Sequence, residues 1–207
     1  LDENDLGAMS SSQLGALTSG QVRALATDTL AALTAETMAQ IGTAQLVALG
    51  SGQLAALTSQ QLQALSSVQL AALTTAQVAA LGTEDLADLT AAQWQSMTSR
   101  QMAALTTAQV ANLTSEDLAA LGSAQLRGLG TQAVAALDSE DMAVLSAAQV
   151  AAFSTAQLRA IDSADLAGLS LGALAGLGSQ QIAALTTAQL GALSSDQLQA
   201  LTAGQLA

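Results

Sequence analysis

Leu73–Ala80 reads Leu-Thr-Thr-Ala-Gln-Val-Ala-Ala, and the chain is that octapeptide written over and over. Counted from Leu1, the eight-residue frame never slips: 25 full octads and a seven-residue last one fill all 207 positions. Fixed-period arrays are stacks in which each unit touches its neighbours. Residues 1-207 are therefore expected to be a single continuous repeat array of 26 octads, the last incomplete.

Each column of the octad has a character. Position 1 is large and apolar throughout; 21 of its residues are Leu, and Met9, Ile41, Met97, Phe153 and Ile161 are the others. Position 6 is also large and apolar, from Leu6 through Trp94 to Leu206. Position 2 is Thr, Ser, Gly or Asp except at Ala26. Position 5 is Gln in 17 octads and Asp in five. Thr, Ser, Gly and Asp share the ability to cap a helix N-terminus. With position 2 as the N-cap, position 5 becomes the third helical residue, and Gln there completes a capping box. Positions 1 and 6 then flank the cap as a hydrophobic staple. One choice of frame satisfies all three signals, so each octad predicts a short helix over roughly positions 3 to 8.

The charges agree with this frame. Of 16 acidic residues, 15 lie at positions 2 to 5, Asp88 being the exception. Arg23, Arg127 and Arg159 lie at position 7, near the helix end, and Arg100 at position 4 does not fit. Acids at the start and bases at the end are what the helix dipole favours.

The fold class expected is an all-α solenoid, a superhelix of short capped helices, one per octad. A single continuous helix fails, because eight residues turn through about 800° and drift about 80° per repeat. A β-solenoid is the alternative, and Ala164-Asp165-Leu166 looks like a pentapeptide-repeat run. Against it, positions 1 and 6 have opposite parity along a strand, and Ala, Gln and Asp are poor strand residues.

The exceptions to the octad follow a second period. Position 3 is Ala at Ala35, Ala91, Ala147 and Ala203, each seven octads after the one before. Position 4 is acidic at Asp28, Glu84, Glu140 and Asp196, and position 1 departs from Leu at Ile41, Met97 and Phe153, on the same spacing. Two readings are open. The 56-residue unit is a duplication, or seven octads make one superhelical turn that sets residue i beside residue i+56. The axis is then filled with Leu or left as a narrow apolar channel.

A helix of six residues is unstable alone, so stability must come from stacking positions 1 and 6 on neighbouring octads. Ends are then weak points. The polar first octad, Leu1 to Leu6, reads as one cap, whereas Leu201 to Ala207 shows none and stops within an octad. The expected partner is a second copy bound end to end, or else more of the same array in a longer parent chain.

Composition excludes several functions. Four Lys plus Arg against 16 acids leave a net charge of −12, which argues against nucleic acid and anionic membranes. There is no His, which removes the commonest metal ligand and the commonest general base, and no Cys, so no disulfide marks a redox compartment. No apolar run is long enough for a transmembrane segment. The chain does not begin with Met, and no signal peptide is visible, as for a mature or excised piece. The abundant Ser and Thr are explained as caps. The glycines at position 2, such as Gly42, Gly82 and Gly122, replace cap residues and form no phosphate-binding fingerprint.

Candidate chemistry is sparse. The acidic pairs Glu84-Asp85, Glu116-Asp117 and Glu140-Asp141 could be Ca²⁺ sites, but solvated acids in a helix's first turn are the favoured reading. Asn112-Leu113-Thr114 matches a glycosylation acceptor. Trp94 is read as core, and Met38 shares its 56-residue phase, marking a roomier site. No catalytic, cofactor or metal residues are assigned, and no enzyme activity is expected.

The octads Leu73–Ala80, Leu105–Asn112 and Leu185–Ala192 resemble tandem repeats of very large bacterial secreted and cell-surface proteins, including adhesins and type I secretion substrates. The resemblance covers the whole chain and brings no catalytic residues with it. It implies an extracellular or cell-surface structural protein, a filament, stalk, surface-layer or adhesin element. The alternative is a binding module that uses a concave surface or an apolar lumen.

Overall fold

The computed structural model of the chain describes residues 2–206, and of Glu3 the backbone alone. Leu1, Ala207 and the side chain of Glu3, which the sequence assigns to the terminal octads, lie outside the described residues. Every octad forms a helix, from α1 (Glu3–Gly7) to α26 (Ala203–Leu206). Those such as α6 (Thr43–Ala48), α9 (Ser67–Ala72) and α19 (Ala147–Ala152) occupy positions 3 to 8 of the frame. Others stop earlier, α10 (Thr75–Ala79) at position 7 and α7 (Ser51–Leu54) at position 6. No strand forms among the described residues, so the β-solenoid alternative has no support.

The caps are those the octad predicts. Thr74 Oγ1 accepts from the backbone N–H of Gln77 at 3.3 Å, and Gln77 Oε1 accepts from the backbone N–H of Thr74 at 2.9 Å. The first helix is capped by two acids, with Asp5 N donating to Asp2 Oδ1 and Asp2 N to Asp5 Oδ2. Gly50 and Gly178 contribute half a box: each backbone N–H donates to its Gln, but neither has a side chain to return the bond. Ala26, the one non-capping residue at position 2, makes no side-chain cap.

Helices end without a left-handed residue. No residue with positive φ occurs among those described, glycines included. Instead position 1 turns extended, as at Leu49 (φ −59°, ψ 134°) and Leu73 (φ −57°, ψ 139°). The chain then enters the next cap, also extended. Each octad is thus one helical turn and a bend, and its apolar pair points inward on both sides of the bend. Each buried Leu contributes about 1.5–3 kcal/mol, which offsets the unfavourable nucleation of so many short helices.

The chain divides into two compact units, Leu1–Met97 and Thr98–Ala207. In the first, from α3 onward, helices pack on those three places along: α3 (Ser19–Arg23) on α6, α6 on α9, and α9 on α12 (Ala91–Ser96). Position-6 residues fill the interior, with Leu30, Met38, Leu46, Leu54, Leu62 and Trp94 fully buried. Position-1 residues from Leu49 to Met97 close over them, each no more than 6% exposed. The second unit follows the same rule: α13 (Ser99–Ala103) packs on α16 (Ser123–Gly128), α16 on α19, and α19 on α22 (Leu171–Ala175). Val134, Met142, Val150, Leu158, Leu166 and Leu174 are among its fully buried position-6 residues.

The solenoid is present, but its turn is half the length that the 56-residue beat suggested. Side chains at position 5 bond backbone 28 to 31 residues earlier, as Gln77 does to Leu49 and Leu46 in the first unit. Gln157 does the same to Leu129 and Leu126 in the second. The neighbour of residue i is therefore near i+28, not i+56. That return is 3.5 octads, so each helix lies opposite a junction between two octads of the adjacent turn. Octad and turn come back into phase only after two turns, which is seven octads. The half-integral turn gives the long period a structural cause.

Candidate functional site

The most distinctive chemistry in the chain is at position 5. A glutamine amide has one carbonyl acceptor and two N–H donors. Gln61 uses both ends: Oε1 accepts from Thr58 N at 2.9 Å, and Nε2 donates to Leu30 O at 2.8 Å and Leu33 O at 2.6 Å. It is 1% exposed. The acceptors are not arbitrary. The last carbonyls of a helix have no intrahelical partner, and the carbonyl of position 1 lies in the bend beyond it. One side chain thus caps its own helix and ties off the end of the helix one turn earlier.

The donation one turn back recurs as a ladder in each unit. Gln45, Gln53, Gln61, Gln69, Gln77 and Gln93 form it in the first. Gln149, Gln157, Gln181, Gln189, Gln197 and Gln205 form it in the second. No buried side-chain nitrogen or oxygen among the described residues is left without a partner. Position 7 supplies a less frequent tie in the other direction. Arg23 Nε donates to Ala48 O at 3.2 Å, and Gln63 Nε2 to Asp88 O at 2.7 Å, both 25 residues ahead. Arg23, Arg127 and Arg159 do lie in the last turns of their helices.

The capping box alone explains the Gln at position 5, so sequence reasoning missed its second role. A signal was present nonetheless. Glu fills a capping box as well as Gln does, yet Glu never occurs at position 5. A column that takes Gln in 17 octads and never Glu favours a side chain of that length with a donor.

The acidic pairs are split by the structure. Asp117 is buried and accepts from Thr114 N at 2.9 Å and Thr114 Oγ1 at 2.7 Å. Asp141 accepts from Asp138 N at 3.0 Å, and Asp85 from Ser59 Oγ at 3.2 Å. Glu84, Glu116 and Glu140 are exposed. Three or more metal-ligating side chains do not converge anywhere among the described residues. The densest acidic group spans α18 (Ser139–Val144) and α21 (Ser163–Leu166), which pack together. Burial raises the Asp141 carboxyl above its ordinary value, and repulsion from Asp138, Glu140 and Asp165 adds to this against a backbone bond that lowers it. Partial burial likewise raises Asp165, helped by Asp162 and Asp138.

Trp94 and Met38 are core residues, fully buried. Asn112 is exposed at the end of α14 (Thr107–Ala111), and its Nδ2 donates to Ala108 O at 2.8 Å. Thr114, the third residue of that sequon, caps the next helix. Of the two hollows the alternative reading would use, the apolar one lies among Leu14, Leu17, Leu25, Leu33 and Ile41 in the first unit. Its volume is about 10 Å³, the threshold for a single water. A surface groove of about 520 Å³ in the second unit is lined by Arg127, Phe153, Ser154, Thr155 and Gln181. Arg127 is its one titratable side chain.

Octad helices, a half-integral turn and a glutamine ladder together define a helical tandem-repeat protein with no helix long and apolar enough to cross a membrane among the described residues. The chain belongs to the ALTTAQ repeat family, whose model matches residues 1–35, 38–75, 47–83, 78–115, 111–147, 134–170, 158–195 and 175–207. No curated protein matches the chain.

Proposed function

We propose that the chain is a non-enzymatic structural element, an extracellular filament, stalk or surface-layer or adhesin component built by stacking octads. The observation that carries this reading is the glutamine ladder. In each unit the caps close each octad on itself, and the apolar pairs and amide donors are directed at the octads one turn away. The outward surface is mostly Ser, Thr, Ala, Gln and acids, with Val68 and Leu171 among the exposed apolar residues. An acidic balance of −12 keeps such arrays apart laterally. Length comes either from more octads in a longer parent chain or from end-to-end association.

Antibody labelling of intact source cells, with and without external protease, tests the reading. Surface label that protease removes is the expected result. A label that appears only after lysis rules out the extracellular role. A second reading, ligand binding, has one feature in its favour, the groove beside Arg127. Titration with small anions and peptides, followed through amide shifts of Arg127, Phe153 and Gln181, tests it.

A further inference from the structure

The ladder of the second unit has interior gaps, and they fall together. Position 5 is Ala at Ala133 and Ala173 and Asp at Asp141 and Asp165, so these side chains carry no amide. By the register of Gln149 and Gln157, a Gln at each would serve the position-1 carbonyl 28 residues earlier. Those are the carbonyls of Leu105, Leu113, Leu137 and Leu145. None of the four takes a side-chain donor among the described residues.

The gaps converge on α18. Asp141, within it, sends no donor back to Leu113, and the bends on its two sides, at Leu137 and Leu145, receive none from the turn ahead. In the same unit α20 (Thr155–Ala160) is the contrast. Gln157 ties it back to Leu126 and Leu129, while Gln181 reaches the bend at Phe153 at 2.7 Å and Gln189 the bend at Ile161 at 2.8 Å. Without rungs, α18 relies on its packing against α15 (Ser115–Ala120) and α21, where Leu137, Met142 and Leu145 are buried. Charge opposes that packing. Asp138, Glu140 and Asp141 stand between Glu116 and Asp117 on the α15 side and Asp162 and Asp165 on the α21 side. Repulsion from Asp138, Glu140 and Asp165 adds to burial in raising the Asp141 carboxyl. Asp165 instead accepts from the Ser139 backbone, a tie that leaves the Leu137 carbonyl unserved.

We propose that residues 137–145, α18 with the bend on either side, form a release segment that leaves the stack as a unit while its neighbours stay held. Tied octads bound it. Gln157 holds Leu129 before it, and Gln149 holds α19 to Leu118 and Leu121 after it. In the structural array proposed above, this segment yields first under tension and gives length without unstacking the other turns.

Native-state hydrogen exchange of the full chain tests the release. After correction for intrinsic rates, amides of residues 137–145 exchange roughly tenfold faster than those of residues 153–161. Equal rates overturn the proposal. Asp141→Gln with Ala173→Gln supplies amides for Leu113 and Leu145, and residues 137–145 then slow by roughly tenfold while residues 153–161 are unchanged. A double variant in which residues 137–145 stay fast, or in which both segments slow alike, also overturns it. Gln157→Glu is the converse: it keeps the cap, removes the donors, and brings residues 153–161 toward the faster rate. No change in that variant shows that the rungs do not set local opening, and the proposal fails. These readings do not depend on where the chain resides, so failure of the release and failure of the extracellular role are distinguished.

Discussion

Gln157 shows at one residue how the array holds together. Its Oε1 accepts from Ser154 N at 2.8 Å, and its Nε2 donates to Leu126 O at 2.9 Å and Leu129 O at 2.8 Å. Gln157→Glu keeps the acceptor and removes both donors, leaving the Leu129 carbonyl without its partner and the Leu126 carbonyl with only the Leu129 N–H. A buried group that loses its partner costs about 1–3 kcal/mol, so the variant is expected to lose about 2–3 kcal/mol in chemical denaturation while remaining helical. Asp165 is the converse case, a short carboxylate in the same column. Asp165→Gln places an amide within the register of the Val134 and Leu137 carbonyls and removes a charge from a crowded acidic group. It is expected to stabilise by about 1 kcal/mol, seen as a shift to higher denaturant. A destabilised Asp165→Gln variant would show that the ladder depends on more than the donor.

At the level of elements, the spacing between packed helices depends on what sits at position 8. A Cβ on Gly128, at the end of α16, would lie 2.8 Å from Ser99 Cα and 2.9 Å from Ser99 O in α13. A Cβ on Gly176 would lie 2.8 Å from Ala147 Cα and collide with Ala147 O. These are backbone atoms and cannot rotate away, so the helices would have to separate. Gly128→Ala and Gly176→Ala are each expected to cost about 2 kcal/mol by overpacking. Gly191, within α24 (Thr187–Ala192), has nothing within 4 Å of its would-be Cβ. Gly191→Ala is expected to gain about 0.5–1 kcal/mol from reduced backbone freedom. Thermal melts of the three variants separate close approach from helix propensity; equal effects would refute the distinction. The α18–α21 pair adds a pH dependence. Asp141 and Asp165 have folded-state values raised above the ordinary 3.8 of the unfolded chain. Between those values the folded state holds more protons than the unfolded one, so stability rises as pH falls from neutral through the raised values. The gain levels off once the unfolded carboxyls are protonated too. Asp165→Asn is expected to raise the melting temperature at neutral pH and to flatten the acid gain.

For the molecule as a whole, nearest-neighbour energetics predict graded rather than uniform protection. In the first unit, amides of the octads around Gln13 and Gln21 are expected to exchange with solvent faster than those around Gln77. In the second, amides from Leu190 onward are expected to exchange faster than those around Val150. Hydrogen exchange by mass spectrometry reads this directly, and a flat profile would contradict a ladder-held array. Local structure was legible in the octad because its causes are local. Thr74 caps what Gln77 completes three residues later, and Leu73 and Val78 flank the cap, all within one frame. The turn was not legible, since Gln at position 5 carries the same letter whether its amide meets water or the end of a helix one turn back. The 56-residue beat recorded the tertiary period, but a beat alone does not distinguish one turn from two. By itself the sequence determined the short helices, their caps, their bends and their apolar faces, because contacts within a single octad suffice for these. Only the tertiary structure decided that each turn takes 3.5 octads and that glutamine links one turn to the next. The angle accumulated over successive bends, and the partner it brings to Nε2, are properties of packing that no single octad contains.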